Sequence, residues 1–277
     1  MSLYFAIEEF ACHLRREEKS AATQEKYLRD VRAFCAYAGK APVTKELVLS
    51  WKRSLIESGY AVRSVNSMLA SVNCFLDFLE LGACRVKNVR TQQKTYCPEE
   101  KELTKAEYFR LLRASEHNEQ LNLLLQTICG TGIRVSELQH FTVEAVRRGE
   151  ISIDCKNKTR TILVPGTLKR MLLNYAKRRG IARGAIFVTR TGKPLSRSNI
   201  WASMKKLCET ACVNPGKVYP HNLRKLFART FYGKEKDIAK LADILGHSSI
   251  NTTRIYIVST GIEHRRKIEQ LGLVVCK

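Results

Sequence analysis

The chain has 277 residues, of which 44% are hydrophobic and 27% charged. That is an ordinary globular balance, long enough for about two domains and too apolar for a disordered chain. Lysine and arginine number 48 against 26 aspartates and glutamates, a net charge of +22. A surplus of that size is self-repelling unless the working partner is a polyanion, so nucleic acid is the first expectation and an anionic membrane the second.

The membrane weakens at once, because no apolar run reaches the ~20 residues that span a bilayer. The first residues carry Glu8, Glu9, Glu17 and Glu18 and lack a basic leader, so no signal peptide is read and the protein is expected in the cytoplasm. Ten cysteines are scattered with no CxxC pair. Cys208 and Cys212 stand four apart on an expected helix face without matching ligands, so free, mostly buried thiols are expected and no metal site.

In chain order, apolar residues recur at helical spacing in 3–14 (Leu3, Ile7, Phe10, Leu14), 24–37, 44–56 and 62–81 (Val65, Leu69, Val72, Leu76). Gly39 to Pro42, Ser58-Gly59 and Leu81-Gly82 break them. Residues 1–84 are expected to form a four-helix bundle, in which Lys52, Arg53 and Arg63 are candidate phosphate contacts should the polyanion be nucleic acid. Residues 85–103 lack apolar period and read as a basic linker.

A second domain, 104–277, opens at Thr104 with a capping box to Glu107. Helices are expected over 104–114 and 119–129, then a turn at Gly130-Thr131-Gly132. A β-hairpin follows, from Ile151 and Ile153 to Ile162 and Val164, with Lys156, Lys158 and Arg160 near its tip. Helices resume over 167–179, 198–212, 221–232, 235–245 and 249–258. The fold class is mainly α with a small β-sheet. Residues 1–90 hold 14 basic and 10 acidic side chains and residues 91–277 hold 34 and 16, so the second domain carries most of the field that attracts phosphate.

Three segments place phosphate-binding or proton-carrying groups beside turns. In Thr131-Gly132-Ile133-Arg134-Val135-Ser136-Glu137-Leu138, Arg134 follows a glycine turn and Glu137 sits one helical turn on, spaced for an ion pair. In Tyr219-Pro220-His221-Asn222-Leu223-Arg224, proline suits a helix start and His221 shares a face with Arg224. In Leu245-Gly246-His247-Ser248-Ser249, a serine caps the next helix, and Tyr256 lies two turns along it. Taken singly, each has a bland reading: a surface ion pair, a histidine cap beside a solvated arginine, a core tyrosine.

Together the three segments resemble the tyrosine site-specific recombinases, the phage integrase family, in residue types, order and separation. The match covers 104–277 strongly and the helical first domain more weakly. The chain is similar to the compact Xer-like and integron-integrase-like members. The resemblance implies that Tyr256 attacks a phosphodiester of double-stranded DNA, leaving a 3′-phosphotyrosine and a free 5′-hydroxyl, without ATP, metal or other cofactor. It implies that Arg134 and Arg224 hold the nonbridging oxygens, that His221 and His247 contact the phosphate and move the tyrosine proton, and that Glu137 supports them. A hairpin lysine is implied to protonate the leaving oxygen. Lys156 matches better, although Cys155 replaces the family's first glycine and the second is missing, and Lys158 competes. The resemblance further implies a homotetramer on two DNA sites, with Leu271, Leu273 and Val274 of the tail buried in a neighbouring subunit. A type IB topoisomerase-like or hairpin-forming strand transferase, and a noncatalytic DNA-binding member, stand as alternatives.

Overall fold

The computed structural model describes residues 3–90, 101–155, 158–257 and 269–271. The chain divides into two compact units, Met1–Gln93 and Lys94–Lys277.

The first unit holds four helices: α1 (Leu3–Arg16), α2 (Ala21–Ala38), α3 (Lys45–Glu57) and α4 (Val62–Phe78). The residues picked by helical period are the ones removed from water: Phe10, Leu14, Phe34, Val65, Leu69, Val72 and Leu76 are all fully buried. Phe10 packs edge-on to Phe75 at 5.1 Å and Phe34 to Trp51 at 5.2 Å. Asp30 is buried among them. Lys26 (2.8 Å), Arg29 and the Ser71 hydroxyl (2.9 Å) satisfy its carboxylate. Two asparagines of α4 hold the outgoing chain, Asn73 on both backbone groups of Val86 and Asn66 on both of Val89. Lys52 spends its ammonium on the Lys87 carbonyl at 2.7 Å, whereas Arg53 and Arg63 are exposed.

The second unit begins with α5 (Lys105–Ala114), whose capping box from Thr104 to Glu107 forms as expected, and α6 (Glu119–Thr131). After a 3₁₀ segment, Val135–His140, comes a short helix the periodicity does not show, α7 (Val143–Arg148). Six residues are too few to display a period. Its punctuation is visible all the same: Thr142 accepts the Ala145 N–H at 3.2 Å and Gly149 ends it in the left-handed region.

Strands β1 (Glu150–Cys155) and β2 (Lys158–Leu163) pair antiparallel, with Glu150 opposite Leu163 and Cys155 opposite Lys158. The remaining helices are α8 (Gly166–Arg178), α9 (Arg197–Thr210), α10 (Pro220–Glu235), α11 (Ile238–Leu245) and α12 (Ile250–Ile257). Helix α9 stops before Cys212, so the expected shared face with Cys208 does not exist; Cys208 is buried and Cys212 exposed. Seven cysteines are free, and of these only Cys35 and Cys208 are fully buried, fewer than expected.

One core joins α5 to α10 through the inward faces of the hairpin, including Leu125, Ile128, Phe141, Ile153, Leu172 and Leu223. A separate small cluster consists of Ala228, Leu241, Leu245 and Tyr256. Helix α10 also anchors the entry of the chain into this unit. Asn222 donates to the Lys101 carbonyl at 2.9 Å, and Arg229 holds the Leu103 carbonyl at 2.7 Å and the Glu102 carboxylate.

Candidate active site

Five of the residues that the sequence singles out, Glu137, His221, Arg224, His247 and Tyr256, converge with Arg134 in the second unit, and the local sequence explains how. Helix α6 ends at Gly132, whose φ of +65° is left-handed and whose missing Cβ leaves room for Phe227. The reversal brings Arg134 to the head of the 3₁₀ segment. There its N–H and guanidinium both bind Glu137, at 2.7 and 3.0 Å. The expected Arg134–Glu137 pair therefore exists, on a 3₁₀ turn.

Pro220 starts α10, as read from the sequence, and sets His221 and Arg224 on one face. Arg224 is the largest fully buried side chain described, 1% exposed. Its fork donates to the Gly132 carbonyl at 2.5 Å and the Leu245 carbonyl at 2.7 Å, and it meets His247 Nε2 at 3.0 Å. Its Nε is buried and has no acceptor. A charged donor sealed in protein without an acceptor is costly unless a ligand supplies one. Burial and the nearby Arg134 pull the guanidinium down to about 10, still charged at neutral pH.

Gly246 closes α11 in the left-handed region, and His247 follows. His247 Nδ1 lies 2.8 Å from the Thr253 hydroxyl. Ser249 caps α12 through its hydroxyl, which accepts the Asn251 N–H at 3.3 Å. Thr253 and Tyr256 are then three apart on the buried face of α12. The Tyr256 ring lies 5.1 Å from that of His221, 5.0 Å from that of His247, and 6.0 Å from the Arg224 guanidinium carbon.

The cluster is strongly cationic. Burial, then Arg224, Arg134 and Arg160, push His247 down to about 4. Desolvation, Lys225, Arg224 and Arg134 likewise lower His221. His247 is accordingly neutral at pH 7, and an anion entering the cluster would raise its affinity for a proton.

Two residues with no role assigned from the sequence belong to the cluster: Thr253, inside the third segment, and Arg160, expected only near the hairpin tip. Arg160 of β2, only 13% exposed, pairs with Glu137 and donates to the Ile244 carbonyl at 2.7 Å. Thr253 orients His247. Thr253 could have been found as the residue one turn before Tyr256; an arginine in a strand gives no such signal. Lys156 lies outside the described residues, and Lys158 is described only as the first residue of β2. Leu271 is exposed, and Leu273 and Val274 also lie outside the described residues.

Comparison with known proteins agrees with this geometry. The phage integrase family model matches residues 101–261, and the phage integrase N-terminal SAM-like domain matches 7–81. The chain belongs to the phage integrase family. Among curated relatives, it is 29% identical to the tyrosine recombinase XerA of Pyrococcus furiosus, over 97% of this chain and 94% of that one. It is 30% identical to the tyrosine recombinase XerC of Roseiflexus castenholzii, over 90% and 87%. Its fold is similar to that of a lambda integrase dimer bound to a core site, with a TM-score of 0.74, 18% identity and coverage of 93% and 95%. In this phage integrase family member the described motif residues form one cationic cluster around Tyr256.

Proposed function

We propose that the chain is a site-specific DNA recombinase that cleaves and rejoins duplex DNA through a 3′-phosphotyrosine link. Tyr256 is the nucleophile. Its phenol oxygen bonds to the scissile phosphorus as the 5′-oxygen leaves, and a 5′-hydroxyl of the partner strand later reverses that step. No bond energy is lost to water, so no nucleotide is consumed. Arg134 and Arg224 hold the nonbridging oxygens. His221 and His247 serve the tyrosine proton. Lys156, or else Lys158, protonates the leaving oxygen. The observation that carries the reading is the packing of the Tyr256 ring against both histidines and Arg224.

The first unit contributes DNA backbone contacts, with Arg53 and Arg63 exposed for that role. The working assembly is a homotetramer on two DNA sites, in the cytoplasm, its tail docked on a neighbour. Among the described residues no helix is long and apolar enough to cross a membrane.

Incubation with a randomised pool of nicked duplexes tests the reading. A nick beside the cleaved bond lets the short 5′-hydroxyl fragment diffuse away and strands the enzyme on DNA. The wild type forms a detergent-stable adduct and Tyr256→Phe binds DNA without forming one. An adduct in the Phe variant, or none in the wild type, overturns the assignment.

A further inference from the structure

The Ile244 and Leu245 carbonyls at the end of α11 have no partner within their own helix and, with that of the capping Gly246, lie at the negative end of its dipole. Three guanidiniums take them in succession: Arg160 donates to Ile244 (2.7 Å), Arg224 to Leu245 (2.7 Å) and Arg134 to Gly246 (3.2 Å). Two of these are the arginines assigned above to the phosphate. The third arrives from β2, and two of its acceptors belong to the site's framework. One is the Ile244 carbonyl. The other is Glu137 Oε2, while Glu137 Oε1 receives the Arg134 guanidinium.

We propose that Arg160 is a positioning residue of the recombination site, acting through Glu137 and the α11 end to set Arg134 and His247. The physical reason lies in the sharing of one carboxylate. Glu137 is 5% exposed, so its charge is poorly screened and would bind Arg134 tightly if Arg134 were its only cation. A second guanidinium on Oε2 divides that attraction. Arg134 is left with its side chain 40% exposed and with charge to direct at a phosphate. The same arginine fixes the turn before His247. Gly246 has a φ of +62°, and a Cβ there would run into the Arg160 side chain, so glycine is needed both for the backbone and for the arginine crossing it. Arg160 also ties β2 to this frame, through the Glu137 carboxylate and the Ile244 carbonyl.

The proposal rests on the recombinase reading, and the two fail differently. No adduct from the wild type sinks that reading; a wild-type adduct together with an unimpaired Arg160→Ala sinks only this one. Full-length Arg160→Ala, Glu137→Gln and the double variant are compared for adduct formation at saturating protein on a nicked duplex selected from the pool. Arg160→Ala is expected to slow adduct formation about 10–100-fold, with DNA affinity within about threefold of wild type. The double variant is expected to be no slower than its slower parent, because both changes disable one unit. In Arg160→Ala the His247 titration followed by NMR is expected to move up, since one of the cations that depress it is gone. A merely structural residue leaves that titration in place. Losses that multiply in the double variant, a loss confined to DNA affinity, or an unmoved His247 titration overturn the proposal. If Arg160→Ala does not fold, Arg160→Lys decides: it keeps the charge but cannot hold two acceptors as a fork. Slow adduct formation at wild-type melting temperature supports the proposal and wild-type rate refutes it.

Discussion

His247 Nε2 lies 3.0 Å from a guanidinium nitrogen of Arg224, and this contact fixes the imidazole tautomer. Arginine has only donors, so Nε2 is the bare nitrogen and the proton sits on Nδ1, donated to the Thr253 hydroxyl at 2.8 Å. In this arrangement the imidazole presents no N–H to an incoming phosphate. A phosphate oxygen that captures the Arg224 fork frees Nε2 to accept a proton and then to donate one.

The pH dependence of stability follows. His247 is depressed to about 4 in the folded chain, against an ordinary value of 6.5. Between those values the unfolded chain binds the proton and the folded one does not. Its contribution to stability is therefore complete above pH 6.5 and declines as pH falls towards 4. A melting-temperature series from pH 7.5 to 4.5 is expected to fall, and His247→Gln to fall less steeply over the same range.

Thr253→Ala removes the acceptor for Nδ1–H without altering any charge. The expected result is a loss of about 1 kcal/mol in stability and roughly a tenfold slower adduct formation, as the ring is released to rotate. Thr253→Ser keeps the hydroxyl and is expected to stay within about twofold of wild type, measured by the same trapping assay.

Arg224→Lys retains the positive charge but not the planar fork that spans Gly132 and Leu245. Adduct formation is expected to fall by about 10²–10³, the usual cost of one preorganised donor. Arg224→Ala leaves buried carbonyls unpaired and is expected to lower stability by about 2–4 kcal/mol as well, read by thermal or urea unfolding.

Gly246→Ala tests the double demand on that residue. The left-handed backbone costs an alanine about 1–2 kcal/mol, and the new methyl displaces Arg160. Adduct formation is expected to drop more than Gly59→Ala would cause, because Gly59 has a comparable φ of +77° with open space around it.

Much of the site was legible because its residues sit at turns and helix starts, where spacing in sequence maps directly onto spacing in space. Arg134 and Glu137 are three apart and pair as read, and His221 and Arg224, also three apart, share one face of α10. The four-helix first unit was likewise visible in the period of Phe10, Leu14, Val65 and Leu69, since burial imposes that period. What escaped depends on chain segments distant in sequence. Arg160 finds Glu137 across 23 residues and Ile244 across 84, and nothing local to a strand announces either partner. Helix α7 escaped because a single stripe of Val143 and Val146 is too short to count.

The tyrosine does two jobs at once. Its ring completes a tiny apolar knot with Ala228, Leu241 and Leu245, and that knot is what moors α12 to the rest of the unit. If Tyr256 is the nucleophile proposed above, the reagent is also part of the mooring, and any shift of its ring toward a phosphorus is felt by the cluster that packs α12 against α10 and α11.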